Sequence, residues 1–257
     1  MKIAVCLKLV PATTADLRVS PDGQSLQLSG VETIVSPYDE FALEAALKVK
    51  ESVPGSSVHA ISAGPDEALK CLQHAFSVGG DAGTHIKGTF DAHTAARLIA
   101  AVLGEIAADV IFCGRQAIDD DQWLVPGALG ELLNIPHVTA VSSLNLGPEK
   151  TSFECRRRFE GGEQVIQLQL PAIISCDKGL NEPRAPTLKG RLDAKKKQPV
   201  VKTAAELGVA EAELAPALTI TRYSPPPQKN AGKIISSPPA EAARELVRLL
   251  REEAKII

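Results

Sequence analysis

Short β-rich runs alternate with longer helical patterns over the first two-thirds of the chain, and this order restricts the fold more than any other feature. Residues 2–10 and 57–62 have the apolar composition of buried strands, and residues 41–50 repeat apolar side chains at helical spacing. Ser36 is the expected N-cap of that helix, because a proline follows it and an acid lies three positions later. The alternation predicts the α/β class, with a doubly wound, mainly parallel sheet that carries helices on both faces.

Six further segments continue the alternation as far as residue 142. They are, in chain order, a helix over 67–78, a strand at 85–86, a helix over 92–106, a strand over 109–113, a helix from about 123 to 133 and a strand over 137–142. Gly79 and Gly80 end the first of these helices, and Pro136 precedes the last strand.

The pattern changes after Gly147, where strands follow one another directly. Residues 152–158 and 164–170 are predicted to form an antiparallel hairpin with a glycine turn at 160–163, and residues 171–175 another buried strand. We expect this added β-hairpin to extend the sheet or its edge and not to form a separate domain.

The end of the chain has a different composition. Three prolines at 225–227 precede an amphipathic helix predicted over 240–254, which carries Leu246, Leu249 and Leu250. A single helix on a proline-rich tether cannot bury its apolar face alone. We therefore divide the chain into an α/β domain, 1–223, and a C-terminal arm, 224–257, that packs on another subunit.

Residues 114–121 form the candidate ligand loop. The loop follows a buried strand pattern and precedes a helix, and open α/β sheets bind ligands just beyond the carboxyl ends of their strands. The first amides of the following helix attract anions. Because Asp119, Asp120 and Asp121 repel a bare phosphate, we expect them to bond ribose hydroxyls, cap the helix or hold loop amides.

Composition argues against several classes of protein. A formal net charge of −3 gives no support for a nucleic-acid partner. The apolar runs are too short for membrane insertion, and a strand pattern that begins at once leaves no room for a signal peptide, so a cytoplasmic location is expected. The five cysteines form no CxxC pair and the five histidines lack ligand spacing, which predicts reduced thiols and no metal site.

Seven short segments resemble the β subunit of electron transfer flavoproteins in their order and spacing, over nearly the whole chain. They are residues 4–8, 36–40, 62–65, 114–121, 160–163 running into 170–174, 180–184 and 194–197. The resemblance implies one half of an α/β heterodimer that carries electrons and is not itself an enzyme. The lack of an evident nucleophile–base pair in the sequence agrees with chemistry that belongs to a cofactor.

The resemblance also implies cofactors and partners. The redox FAD would be held mainly by the α subunit, and the β subunit would carry AMP or, in electron-bifurcating types, a second FAD. Electrons would come from a flavin dehydrogenase such as an acyl-CoA dehydrogenase of fatty acid β-oxidation. They would pass to a quinone oxidoreductase of the membrane or to another acceptor.

Carried over position by position, the resemblance implies an adenine-nucleotide pocket on the α/β domain. Cys6 and Ala63 end two predicted strands, where small side chains let a nucleotide approach the backbone, and Tyr38 falls where the family places an aromatic ring against the flavin. The implied cofactor-binding residues are Cys6, Ser36, Pro37, Tyr38, Asp39, Ala63, Asp119, Asp120, Asp121, Gln122, Trp123, Leu124, Val125, Pro126, Gly127, Ala128, Leu129 and Gly130.

A partner-docking loop is implied at 181–189. Leu188 stands at the position of the family's anchoring leucine, and an apolar anchor ringed by polar residues such as Glu182 and Arg184 is typical of a binding hot spot. Lys195 begins a lysine run that would steer an acidic partner before docking.

Departures from the family pattern leave the subgroup open. Residues 122–127 are bulky and mostly apolar where the family offers phosphate contacts, and Pro126 removes one amide. Residues 10–13 lack the aspartate of a bifurcating-type motif, and Arg158 replaces a glutamate of the housekeeping type. AMP and FAD therefore stay alternatives for the β site. A stand-alone adenine-nucleotide sensor is the remaining alternative, although such a sensor needs neither the arm nor the docking loop.

Overall fold

The computed structural model describes residues 1–227 and 231–257. Its strands are β1 (Lys2–Cys6), β2 (Leu9–Pro11), β3 (Arg18–Val19), β4 (Leu26–Gln27), β5 (Thr33–Val35), β6 (Ser57–Gly64), β7 (Ala82–Lys87), β8 (Val110–Gly114), β9 (His137–Leu146), β10 (Ser152–Phe159), β11 (Gly162–Gln169), β12 (Ala172–Cys176) and β13 (Val200–Lys202). Its α-helices are α1 (Pro37–Ser52), α2 (Leu69–Val78), α3 (Ala92–Ile106), α4 (Leu124–Leu133), α5 (Leu188–Ala194) and α6 (Pro239–Arg248).

Nine strands form one sheet in the order β11-β10-β9-β12-β8-β1-β6-β7-β13. The strands from β9 to β13 in this order run parallel, whereas β10 pairs antiparallel with both β9 and β11. The predicted α/β class and doubly wound sheet are confirmed. The hairpin extends one end of the sheet, as the sequence predicts.

Alternate residues of the central strand face two separate hydrophobic cores. Ile3 and Val5 pack with residues of α1 and α2, while Ala4 and Cys6 pack with residues of α3 and α4. All four are fully or almost fully buried. Because the side chains of a strand alternate between its faces, β1 needs helices on both sides, and the predicted layers are confirmed.

The predicted first strand, 2–10, is wrong in its extent. β1 ends at Cys6, and Leu9–Pro11 forms the separate strand β2, which pairs antiparallel with β5. Here the chain turns away from the sheet towards the start of α1. The Lys8 carbonyl accepts a hydrogen bond at 2.9 Å from the amide of Ser36, the N-cap residue of that helix. Apolar composition alone does not reveal such a change of partner.

β13 is absent from the sequence prediction. Val200–Lys202 pairs parallel with β7 at the edge of the sheet. The strand has only three residues and follows a charged, proline-containing segment, so its local pattern resembles a loop.

The chain leaves the body of the fold after Tyr223, whose amide donates to the Gly23 carbonyl at 2.8 Å. Within 1–227 and 231–257, α6 buries none of its residues, and it continues as one π-helical turn over Leu249–Glu253. This matches the predicted terminal helix. The part of the predicted arm at 228–230 lies outside the described residues.

Candidate functional site

The crevice between β1 and β8 is the candidate site. From β1 the chain adds β6 and β7 on one side, and α3 then leads to β8 on the other side. Loops that leave neighbouring strands in opposite directions open a crevice beyond the carboxyl ends, where ligands of doubly wound sheets bind. The predicted ligand loop, 114–121, begins at this crevice.

Asp39 fastens the two strands together across the crevice. Its two carboxyl oxygens accept hydrogen bonds from the amides of Lys8 at 2.7 Å and Gly114 at 3.0 Å. Gly114 must lack a side chain, since a Cβ there would lie 2.8 Å from the Asp39 amide nitrogen. Burial raises the pKa of Asp39 to about 7, although both amides and the Lys8 charge oppose that rise.

The pKa of Asp39 leads to a pH-dependent prediction. At pH 5 we expect Asp39→Asn to lower the free energy of unfolding by about 1–3 kcal/mol, because an amide cannot accept both backbone hydrogen bonds. The native pKa is raised, so the stability that Asp39 contributes is fully present below the unfolded pKa and is lost as pH rises towards 7. The difference in free energy of unfolding between Asp39→Asn and wild type should therefore become smaller as the pH rises.

Urea denaturation between pH 5 and pH 8 measures this difference. Asp66→Asn is the matched control, because Asp66 is exposed and paired only at the surface with Lys87. A difference for Asp39→Asn that stays constant across the range would contradict the role of burial at this carboxyl group.

Arg115 joins two of the predicted site residues. Its guanidinium carbon lies 4.8 Å from the centre of the Tyr38 ring and 4.3 Å from the centre of the Trp123 ring. It also donates to Asp177 at 3.0 Å and to the Tyr38 hydroxyl at 2.9 Å. Trp123 has a positive φ of 57°, a backbone conformation that costs a bulky residue about 1–3 kcal/mol. This stack holds Arg115 of the ligand loop, and Trp123 just after the loop, against the first turn of α1.

Lys8 neutralises part of the acidic loop. Its ammonium group donates to Asp119 at 2.8 Å and to Asp120 at 2.9 Å, while Asp121 accepts from the Gln116 amide group. Burial lowers the pKa of Lys8, but the two carboxylates outweigh that effect and raise it. Of the predicted roles for these aspartates, the structure shows one main-chain contact, from the Gln122 amide to Asp120 at 3.3 Å.

Sequence reasoning assigned no role to Lys8 or Arg115. Both are charged residues that follow closely on a buried strand, Lys8 after β1 and Arg115 directly after β8. That position places them at the carboxyl edge of the sheet, where ligands bind, and it is the sequence feature from which a role at the site could have been predicted.

The other predicted positions near the crevice are small and largely buried. Ser36 occupies the N-cap position of α1, but its side chain makes no capping bond, and its buried hydroxyl has no hydrogen-bond partner among the described residues. Pro37 begins α1 directly after it. Cys6 ends β1, and Ala63 lies near the end of the neighbouring strand β6. Cys6 and Ala63 both face the core that these strands form with α3 and α4.

The predicted positions in α4 divide between two environments. Leu124, Val125, Gly127 and Ala128 are partly exposed in the first half of the helix. Leu129 is fully buried in the hydrophobic core, and a Cβ at Gly130 would lie 2.5 Å from Nδ1 of the His137 ring. Leu129 and Gly130 therefore lie where α4 packs on the sheet, and their role in the ligand pocket stays a prediction.

A family model described as electron transfer flavoprotein domain matches residues 25–207. Electron transfer flavoprotein subunit beta of Bacillus subtilis is 37% identical over 238 residues, which cover 90% of this chain and 91% of that protein. The chain belongs to the electron transfer flavoprotein β-subunit family.

More distant members agree over the full length. The subunit beta of Syntrophomonas wolfei is 34% identical over 100% of this chain and 98% of that protein. The subunit beta of Mus musculus is 32% identical over 100% of this chain and 99% of that protein. The resemblance predicted from the seven segments is confirmed, and membership of this family implies an electron carrier that works with an α subunit.

The segment expected to dock partners of the electron transfer flavoprotein has a defined structure. Leu188 is 78% exposed and begins α5, which Thr187 caps by accepting a hydrogen bond from the Gly190 amide at 3.0 Å. The predicted loop 181–189 is therefore wrong at its end, since its last two residues are helical. Glu182 and Lys195 are exposed, but Arg184 turns inward onto α1.

Metal centres and reactive thiols are two other kinds of site that the described residues, 1–227 and 231–257, could form. Among those residues, no three His, Cys, Asp or Glu side chains are placed to hold a metal ion. All five cysteines are buried, and burial raises the pKa of Cys71 and of Cys155 to about 12, so these two thiols stay protonated. No helix in 1–227 or 231–257 combines the length and apolarity needed to cross a bilayer.

Proposed function

We propose that this chain is the β subunit of a heterodimeric electron transfer flavoprotein that shares FAD with its α subunit. It takes electrons from a flavin dehydrogenase such as an acyl-CoA dehydrogenase of fatty acid β-oxidation and passes them to a quinone oxidoreductase or another acceptor. A subunit of an electron-bifurcating flavoprotein with a second FAD is the alternative within the same family, and in either case the proposed location is the cytoplasm.

The observation that supports this proposal most directly is the fixed aromatic stack at the crevice. Tyr38, the residue expected to face the flavin, is half-buried and engaged by Arg115 through its ring and its hydroxyl. Arg115 is itself fixed by its ion pair with Asp177. An FAD held mainly by another subunit needs such a preformed surface, because loose side chains would have to be ordered on binding. FAD supplies the redox chemistry when bound, and this chain supplies contact and charge.

Two features of the crevice support the binding of the adenosine part of a nucleotide there. Ser36 offers a buried hydroxyl that lacks a partner among the described residues, and a buried polar atom without a partner costs about 1–3 kcal/mol unless a ligand or water satisfies it. Cys6 and Ala63 provide the small walls that a close approach to the backbone requires. We infer that AMP or a second FAD binds here, with Ser36 as one of its hydrogen-bond partners.

A phosphate group would depend on a few donors. The Lys8 ammonium group lies at the acidic loop. The first turn of α4 offers main-chain amides, except at Pro126, which has no N–H group. Asp119, Asp120 and Asp121 oppose an anion at the same place. The donor set therefore supports one phosphate held mainly by Lys8 and the amides of α4.

The C-terminal arm, 224–257, supports a second polypeptide as the partner. α6 has an apolar stripe, with Leu246 48% exposed, and buries nothing in the described part of the chain. We propose that this stripe packs on the α subunit.

Co-expression with a candidate α subunit tests the proposed function. We expect a yellow α/β complex to co-purify, whereas a stand-alone adenine-nucleotide sensor would purify as a colourless homodimer. The complex should also be reduced by a flavin dehydrogenase that is turning over its own substrate. A colourless chain that ignores the α subunit would contradict the proposal.

A further inference from the structure

Arg184 binds two glutamates of α1 instead of facing solvent. Its guanidinium donates to Glu44 at 2.8 and 3.0 Å and to Glu51 at 2.5 and 3.2 Å. The Arg184 amide also donates to Glu44 at 3.3 Å. The Glu44 side chain is only 5% exposed, whereas the Arg184 side chain is 34% exposed, so water is excluded from this bidentate pair mainly on the side of the glutamate.

The start of the same segment is tied to the same helix. Asn181 donates through its side-chain amide to the Phe41 carbonyl at 2.9 Å. Phe41, Glu44 and Glu51 recur at helical spacing along one side of α1. α1 is also the helix whose first turn carries Tyr38 and Asp39 at the crevice. The segment that precedes Leu188 is therefore attached to a rigid element of the candidate site.

The far side of Leu188 is fixed as well. Gly190 approaches the last turn of α2 so closely that a Cβ would lie 3.2 Å from the Ser77 carbonyl carbon. Lys197 donates to the Gly80 carbonyl, and its ammonium group lies 5.6 Å from the centre of the Phe76 ring. An exposed leucine thus stands between two anchored flanks.

We propose that Arg184 is a positioning residue, which holds Leu188 in the geometry that the dehydrogenase recognises by pinning the preceding segment to α1. The inference rests on the proposed docking role of Leu188. A planar guanidinium that bridges two carboxylates fixes the direction of the chain as well as its distance from α1. An anchor already held in place costs the complex less conformational entropy on binding.

The expected effect is on recognition and not on the flavin. In the purified α/β complex, Arg184→Met should raise the KM of the dehydrogenase for the complex about tenfold. Reduction of the same complex by a small chemical donor should be unchanged. Arg184→Lys keeps the positive charge but lacks the planar guanidinium that binds two carboxylates. Its affinity for the dehydrogenase should therefore lie between those of Arg184→Met and wild type.

A second variant separates positioning from misfolding. Arg184→Met leaves the buried Glu44 carboxylate without its partner, which destabilises the fold by itself. Arg184→Met combined with Glu44→Met removes the same ion pair and replaces it by apolar side chains, so that neither an unpaired charge nor an unpaired amide is left buried. We expect this double variant to show the same rise in KM with a melting temperature close to that of wild type.

A double-mutant cycle with Leu188→Ala decides whether Arg184 acts through Leu188. Positioning predicts that the combined loss of affinity is clearly smaller than the product of the two single losses. If the two losses of affinity multiply independently, the positioning role is overturned. It is also overturned if Arg184→Met and its double variant at Glu44 both keep the wild-type KM while Leu188→Ala raises the KM. If Leu188→Ala itself has no effect, the docking role in the proposed function fails and the inference fails with it.

Discussion

Leu188→Ala is expected to weaken docking of the dehydrogenase about thirtyfold while flavin content and thermal stability stay unchanged. Truncation of a hot-spot side chain typically costs about 2 kcal/mol, which corresponds to that factor in affinity. Because Leu188 is 78% exposed, its removal takes little packing from the fold. Pro183 and Pro186 restrict the preceding segment and lower the ordering cost of binding.

Electron transfer from dehydrogenase to complex, compared with reduction by a small chemical donor, measures this effect. Leu28→Ala is a matched control, since Leu28 is 53% exposed and lies outside the docking segment. Lys195→Glu should instead mainly lower the association rate with the dehydrogenase, and this effect should become smaller at high salt. Should Leu188→Ala slow both reactions equally, or neither, Leu188 is not the docking anchor.

Deletion of residues 224–257 is expected to weaken the α/β heterodimer by at least about a hundredfold while the α/β domain stays folded. Leu246, Leu249 and Leu250 form the apolar stripe of the terminal helix, and burial of a leucine contributes roughly 1.5–3 kcal/mol. Two such side chains already correspond to a hundredfold change in affinity. The domain itself should be little affected, because α6 buries no residue in the described part of the chain.

Subunit affinity, followed by titration of one labelled subunit with the other, tests the arm. A charged substitution in the stripe, Leu249→Asp, should reproduce most of the loss. Arg244→Ala, on the polar side of the same helix, is the control and should bind as wild type. Unchanged affinity after truncation would show that the arm does not pack on the α subunit.

Local sequence patterns predicted α1 to α4 and the longer strands of the sheet, but not a short element such as α5. α3 agrees with its prediction from Ala92 to Ile106, because its apolar positions all face one core. The hairpin β10–β11 was also placed correctly, since a glycine turn separates two strand patterns. β2 and β13 escaped prediction because each is three residues long and is defined by its pairing partner, which local periodicity does not encode.

The site was only partly predictable for a related reason. Asp39, Tyr38 and Trp123 came from the resemblance, and the structure brings them together at the crevice. Their joining contacts are long-range, since Arg115 donates to the Tyr38 hydroxyl 77 positions away and Asp39 accepts from the Gly114 amide 75 positions away. The contacts of Arg184 with α1 were not part of the sequence prediction, which placed this residue among those that dock a partner.

FAD content tests the central proposal most directly. No GxGxxG fingerprint follows the first strand, so this chain alone should retain little FAD. The measurement is the amount of FAD and AMP released per chain, from the isolated chain and from its purified complex with the α subunit. We predict redox-active FAD in the complex and little in the isolated chain, with the additional nucleotide identified as AMP or a second FAD. Stoichiometric, tightly bound, redox-active FAD in the isolated chain would contradict the proposed division of labour between the subunits.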